Sequence, residues 1–202
     1  SECRNSPRFL PDVRTNRALT RLSLSNSKMN CGLHGEAAAA AGEAIAAALA
    51  ANTVLRELDV SKNFLKRPFV EAFAAGLSAN AAMVSLNMAG NEIGASQAQR
   101  LVAILEEHPT LRSLCGNDGD ETELRMDGKD LREEGALMLA PEVASNGALA
   151  KLSLRANGMG GKVCGAGLAG MIAGNPVLKD LDISTNCWDR SDAAGFAEGL
   201  AA

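Results

Sequence analysis

The apolar positions of this chain recur in one frame. Leu55, Leu58, Val60, Asn63 and Leu65 read L-x-x-L-x-L-x-x-N-x-L. The same frame fits Met83, Leu86, Met88, Asn91 and Ile93; Leu149, Leu152, Leu154, Asn157 and Met159; and Leu178, Leu181, Ile183, Asn186 and Trp188. Leu19, Leu22, Leu24, Ser27 and Met29 form a first copy with Ser in the Asn place, and Leu124, Met126, Lys129 and Leu131 a copy that has lost it. The alternation of apolar and polar positions predicts a short strand in each copy. A second ladder fixes the register independently. Asn16, Asn52, Asn80, Asn146 and Asn175 each stand three residues before a first apolar position, and His108 takes that place once. Ahead of them come apolar pairs four residues apart: Phe9 and Val13, Ile45 and Leu49, Phe73 and Leu77, Leu101 and Leu105, Leu139 and Val143, Leu168 and Ile172. That spacing puts both members on one helix face.

First positions fall at 19, 55, 83, 111, 121, 149 and 178, in steps of 36, 28, 28, 10, 28 and 29. The unit is therefore a short strand, a turn, a helix and a turn, and a fixed period of this length marks a repeat architecture. From Phe9 onward the chain resembles the leucine-rich repeats of the ribonuclease-inhibitor type, found also in nucleotide-binding immune receptors and Ran GTPase-activating proteins. The resemblance implies an α/β fold: a right-handed solenoid, the leucine-rich repeat horseshoe arc, with a parallel concave sheet and convex helices. Packing distances argue for the same curvature. Parallel strands stack about 4.8 Å apart, whereas helices need about 8–10 Å, so helices covering one face bend the sheet away from them. Each ladder Asn carries an acceptor and two donors, enough to satisfy turn backbone of its own and a neighbouring repeat.

Residues 1–202 read as a single array with two departures. Eight extra residues around Cys31–Ala41 predict a longer loop or helix through Glu36–Ile45. The ten-residue step from Leu111 to Glu121 has no space for a helix. It predicts a strand over 111–116, a tight loop over 116–121, re-entry into the sheet at Leu124, and an irregularity in curvature. The segment from Phe9 to Leu19 matches that from Leu139 to Leu149, so the chain opens on the tail of a helix; Phe196 and Leu200 occupy helix positions at the other end. Neither end carries a polar capping repeat. The expectation is a fragment of a longer array, or ends covered by something else, with end-to-end association as one outcome.

Composition narrows the function. The 202 residues are 47% hydrophobic with a net charge of −4 and interspersed signs, which leaves no electrostatic footprint for nucleic acid. Ala37–Ala51 is too short and too weakly apolar to span a bilayer, so no membrane partner is expected. Cys3, Cys31, Cys115, Cys164 and Cys187 are odd in number with no C-x-x-C, which favours a reducing, intracellular and cytoplasmic setting.

Several motifs suggest chemistry and fail on context. Gly165, Gly167 and Gly170 spell G-x-G-x-x-G, but Leu168 already has a mid-helix repeat role, so close helix packing is the better reading. Gly160–Val163 reads as a glycine-rich turn into a helix. Asp118, Asp120, Glu121 and Glu123 form an acidic loop over 118–123 without the order of a calcium loop, and solvation is its default. Cys31 and His34 supply two of the four ligands a structural zinc needs. With His34 and His108 the only histidines, no Ser/His/Asp constellation can be built. No cofactor, no metal and no catalysis are expected, and Trp188 reads as core filler.

What remains is the face between the strand leucines. Its columns run Arg21, Glu57, Ser85, Ser113, Glu123, Lys151, Asp180; then Ser23, Asp59, Asn87, Cys115, Arg125, Ser153, Asp182; then Ser25, Ser61, Ala89, Asp127, Arg155, Ser184. Local folding does not dictate these side chains. The expected function is a protein-interaction scaffold whose concave face binds another protein through Arg21, Glu57, Asp59, Asn87, Arg125, Lys151, Arg155, Asp180 and Asp182, a basic middle between acidic pairs. The rivals are a GTPase-activating or other regulatory protein of the Ran-activator kind, which the resemblance raises, and a sensor segment of a larger receptor.

Overall fold

The structure, a computed structural model, describes residues 10–29 and 35–200. Strands and helices alternate: α1 (Leu10–Thr15), β1 (Arg21–Ser23), α2 (Gly35–Ala51), β2 (Glu57–Asp59), α3 (Arg67–Ala79), β3 (Ser85–Asn87), α4 (Ala95–Glu107), β4 (Glu123–Arg125), α5 (Arg132–Ser145), β5 (Lys151–Ser153), α6 (Lys162–Gly174), β6 (Asp180–Asp182) and α7 (Arg190–Leu200). Strands pair in parallel with the leucines in register, Leu22 on Leu58 on Leu86 in one sheet and Leu124 on Leu152 on Leu181 in another. This is the α/β alternation of short parallel strands and helices that the periodicity predicts. The extra residues of the first unit lengthen its helix: α2 has 17 residues where α3, α4 and α6 have 13. Phe9, Cys3, Cys31 and His34 lie outside the described residues.

No repeat could bury its own apolar stripe, so neighbours supply the core. One cluster runs the length of the chain, from Val13 through Leu58, Leu86, Leu114 and Leu152 to Leu168. Each helix packs on the next along the whole series. Small residues set that spacing: a Cβ at Gly42 would collide with the Phe69 carbonyl, and one at Gly76 with Ala46.

Both asparagine ladders are built as hydrogen-bond relays. Outside the strands, Asn80 Oδ1 accepts from the amides of Ala82 (2.8 Å) and Met83 (2.7 Å), while its Nδ2 donates to the carbonyls of Leu49 (2.6 Å) and Asn52 (2.9 Å) one repeat back. Asn52 and Asn175 do the same in their repeats. After the strands, Asn63 Nδ2 donates to Leu24 and Val60 carbonyls and its Oδ1 accepts from Ser27 and Met29; its own amide donates to Asn91. Asn157 and Asn186 form the matching pair further on. A buried polar group with no partner is costly, and here each amide closes the turn of one repeat and ties it to the next.

The ten-residue step changes more than the curvature irregularity expected of it. Ser113 forms an isolated parallel bridge to Ser85 and Cys115 an antiparallel one to Asn87, and the Leu86 and Met88 amides donate to Ser113 and Leu114 carbonyls. The chain then fails to re-enter the same sheet. Among the described residues no backbone hydrogen bond joins 111–117 to β4, and Leu124 opens a second three-stranded sheet. The expected single parallel sheet is therefore two. The ten-residue step leaves no helix between 111–117 and β4, and α4 packs directly on α5.

The amides that the next strand would have taken go instead to one carboxylate. Glu142, on α5 and buried, accepts from the Leu114 amide (2.6 Å) and the Cys115 amide (3.0 Å), and from Ser113 Oγ (2.8 Å) and Asn117 Nδ2 (2.7 Å). The outer ladder breaks at the same place. His108 Nδ1 accepts from the Leu111 amide (2.9 Å) as an Asn oxygen would, but its buried Nε2 has no partner. Asn146 reaches back to Glu121 rather than to a helix end.

Candidate functional site

The face of the strands away from the helices carries the side chains that the fold leaves over, and the break divides it. On β1–β3 it forms a hollow of about 280 Å³ lined by Arg21, Ser23, Glu57, Asp59, Ser85, Asn87 and Gly116. Parallel register brings these together: Ser23, Asp59 and Asn87 lie side by side, as do Arg21, Glu57 and Ser85. Gly116, at the start of the loop that replaces a helix, forms one wall. Its φ of +79° suits glycine, and a Cβ there would stand 3.1 Å from the Asn87 side chain. The loop leans over this face far enough for Asp118 to help raise the Arg21 pKa, after the larger effect of Glu57. Within the loop, Glu121 accepts from the Asp118 and Gly119 amides, so the carboxylates of 118–123 do not converge.

The charges of the hollow are unevenly spent. Arg21 and Glu57 form an ion pair at 2.6 Å. Asp59 uses one carboxylate oxygen to accept from the Ser61 amide (2.9 Å), leaving the other without a partner. Asn87 likewise accepts from Ala89, and its Nδ2 is free, as are the hydroxyls of Ser23 and Ser85.

The second half of the face carries three cations, Arg125, Lys151 and Arg155. Lys151 lies between Glu123 and Asp180 in register. Arg125 pairs with Glu123 at 2.6 Å. Asp127 accepts from Ser153 and from the Arg155 amide. Bonds from Ser184, then the nearby Arg155, hold the Asp182 carboxyl below its ordinary range. Of the basic middle read from the sequence, Arg125 is held in an ion pair, while Lys151 and Arg155 form none among the described residues. Arg21, Glu57, Asp59 and Asn87 share the first half, and Arg125, Lys151, Arg155, Asp180 and Asp182 the second. Ser23 and Ser85 stood in the right columns, whereas Gly116 was marked only by the ten-residue step and Asp118 only as part of the acidic loop.

The other motifs fall where their context put them. The G-x-G-x-x-G lies inside α6. Gly165 is required there because a Cβ would meet the Asp192 carbonyl and Phe196, but the surroundings of Gly167 and Gly170 leave room, so close packing explains only the first. Gly161 ends the turn that starts α6. Trp188 packs against the core and donates to the Ile183 carbonyl. No helix among the described residues is long and apolar enough to cross a membrane. Nor do three His, Cys, Asp or Glu side chains gather among them as a metal would need.

No protein-family model and no curated protein matches the chain. Among solved structures, the fold is similar to a tropomodulin C-terminal domain from Caenorhabditis elegans, at 9% identity and a TM-score of 0.47, over 95% of this chain and 89% of that one. It is also similar to leiomodin-1 actin-binding site 2, at 17% identity and a TM-score of 0.39, over 98% and 92%. Likenesses this distant assign neither a family nor a partner.

Proposed function

We propose that the chain is a non-catalytic protein-interaction scaffold, a curved solenoid of the ribonuclease-inhibitor repeat type whose strand face is the concave, partner-binding surface. The observation that carries the reading is unspent polarity. Asp59, Asn87, Ser23 and Ser85 keep hydrogen-bonding capacity that no other residue uses, while buried ladder asparagines such as Asn52, Asn63 and Asn80 are consumed by the fold. Solenoids offer their inner curve as an extended binding surface, and mixed charge across it sets orientation and association rate more than affinity. The partner is another protein, in the reducing interior of the cell. Cys115, Cys164 and Cys187 being free accords with that setting. A GTPase-activating role has no observation behind it.

Two variant sets test this: Asp59→Asn with Ser85→Ala on the first half, and Arg125→Glu, Lys151→Glu and Arg155→Glu on the second. Captured proteins from cells expressing tagged wild type and variants are quantified by mass spectrometry. The expected result is unchanged melting with a specific partner lost in at least one set. Undiminished capture by both sets dismisses the strand face as the site.

A further inference from the structure

We propose that the hollow over β1–β3 receives an extended segment of the partner protein that inserts one basic side chain, arginine or lysine, against Asp59. This rests on the strand-face reading above and adds its chemistry. The charge balance selects the sign. Glu57 and Asp59 line the hollow with a single cation, Arg21, which is already paired with Glu57. Asp59 is the unpaired charge, and its neighbours in register, Ser23 and Asn87, are both neutral. An entering guanidinium or ammonium would donate to the free Asp59 oxygen and to the Ser23 and Ser85 hydroxyls, and charge-assisted bonds of this kind are stronger than neutral ones.

The remaining valence selects a peptide over a small amine. Asn87 Nδ2 is a donor without an acceptor, and a backbone carbonyl of an extended segment supplies one. The space agrees: about 280 Å³ lies just below the roughly 300–1,000 Å³ of small-molecule sites, enough for one side chain and its backbone. Gly116 closes the wall beside Asn87 and has no side chain to obstruct the approach. The second half differs in charge: Arg125, Lys151 and Arg155 stand among its carboxylates, so an entering cation meets like charges there.

The test is a titration of isotope-labelled protein with three capped tripeptides, Gly-Arg-Gly, Gly-Lys-Gly and Gly-Glu-Gly, followed by amide chemical shifts. The Arg and Lys peptides are expected to saturate, in roughly the millimolar range, with shifts confined to Ser23, Asp59, Ser85, Asn87 and Gly116. The Glu peptide is expected to leave these amides unmoved. Asp59→Asn, which keeps the acceptor for the Ser61 amide and so preserves the turn, is expected to weaken binding about tenfold. The Arg125, Lys151 and Arg155 triple reversal is expected to leave it unchanged. The inference is overturned by no saturation at ten times that concentration, by equal shifts from the Glu peptide, or by binding indifferent to Asp59→Asn. If the basic peptides fail while the second-half set still abolishes partner capture, only this inference falls; if neither set affects capture, the strand-face reading falls with it.

Discussion

Replacing Glu142 tests whether one carboxylate stands in for a missing strand. Its four donors are the Leu114 and Cys115 amides, Ser113 Oγ and Asn117 Nδ2. Glu142→Ala removes this acceptor from all four, and only the Cys115 amide keeps a second one, Ser113 Oγ at 3.2 Å. Each unmet buried donor costs about 1–3 kcal/mol, and water entering the adjoining hollow beside Arg112, Asn117 and Glu121 recovers part. The expected net loss is about 3–5 kcal/mol, as when one partner of a buried charged network is removed. Glu142→Gln keeps an acceptor for both amides and costs about 1–2 kcal/mol near neutrality. The second variant also isolates the charge. Burial pushes the Glu142 carboxyl up to about 7 from an ordinary 4.5, with the bonds from Leu114, Ser113, Asn117 and Cys115 opposing. The folded state therefore holds more protons than the unfolded one between pH 4.5 and 7. Glu142 thus makes the wild type lose stability as pH rises through that window, by up to about 3 kcal/mol at about 1.4 kcal/mol per pH unit. Glutamine does not titrate, and the other carboxyls are common to both proteins. Urea unfolding from pH 4.5 to 8 should show the wild-type advantage over Glu142→Gln shrinking with rising pH and levelling off above 7. A difference that stays flat refutes the perturbed carboxyl; a Glu142→Ala loss under 1 kcal/mol refutes the staple itself.

Three further outcomes follow from the same geometry. His108→Asn restores the ladder side chain, whose Nδ2 would donate one repeat back as that of Asn80 does, and should stabilise by about 1 kcal/mol in urea unfolding. Asn63→Ala removes a fully buried relay serving Ser27, Met29, Leu24 and Val60, and should cost about 3 kcal/mol or more, whereas Asn16→Ala, at an exposed site, should cost about 1 kcal/mol. Gly76→Ala drives a methyl into Ala46 and should lower thermal stability by more than Gly170→Ala, which meets nothing.

Periodicity exposed most of this fold, because ladder residues act on the next copy of themselves and so must recur. Asn52, Asn80 and Asn175, and Asn63, Asn91 and Asn157, were legible for that reason. Glu142 was not. It shares its repeat position with Asp12, which is exposed on α1, and only the neighbouring absence of a helix gives it a task. The ten-residue step announced an irregularity, but spacing alone does not say that a side chain, rather than a strand, meets the free edge. The strand-face residues were readable as columns, since alternation fixes which way they point. Their pairing was not: Arg125 with Glu123 lies along one strand and Arg21 with Glu57 across two, and the sequence weights both equally. The loop over the first half came from no repeating signal at all.

The central claim is that the strand face keeps polar capacity the fold does not use and is therefore available to a partner. One paired measurement on Asp59→Asn with Ser85→Ala addresses it: the urea midpoint and the amount of specific partner retained, each against wild type. A midpoint within about 0.5 kcal/mol of wild type, as for surface changes, together with lost retention, is the expected result. A destabilised protein that still retains its partner would contradict the account.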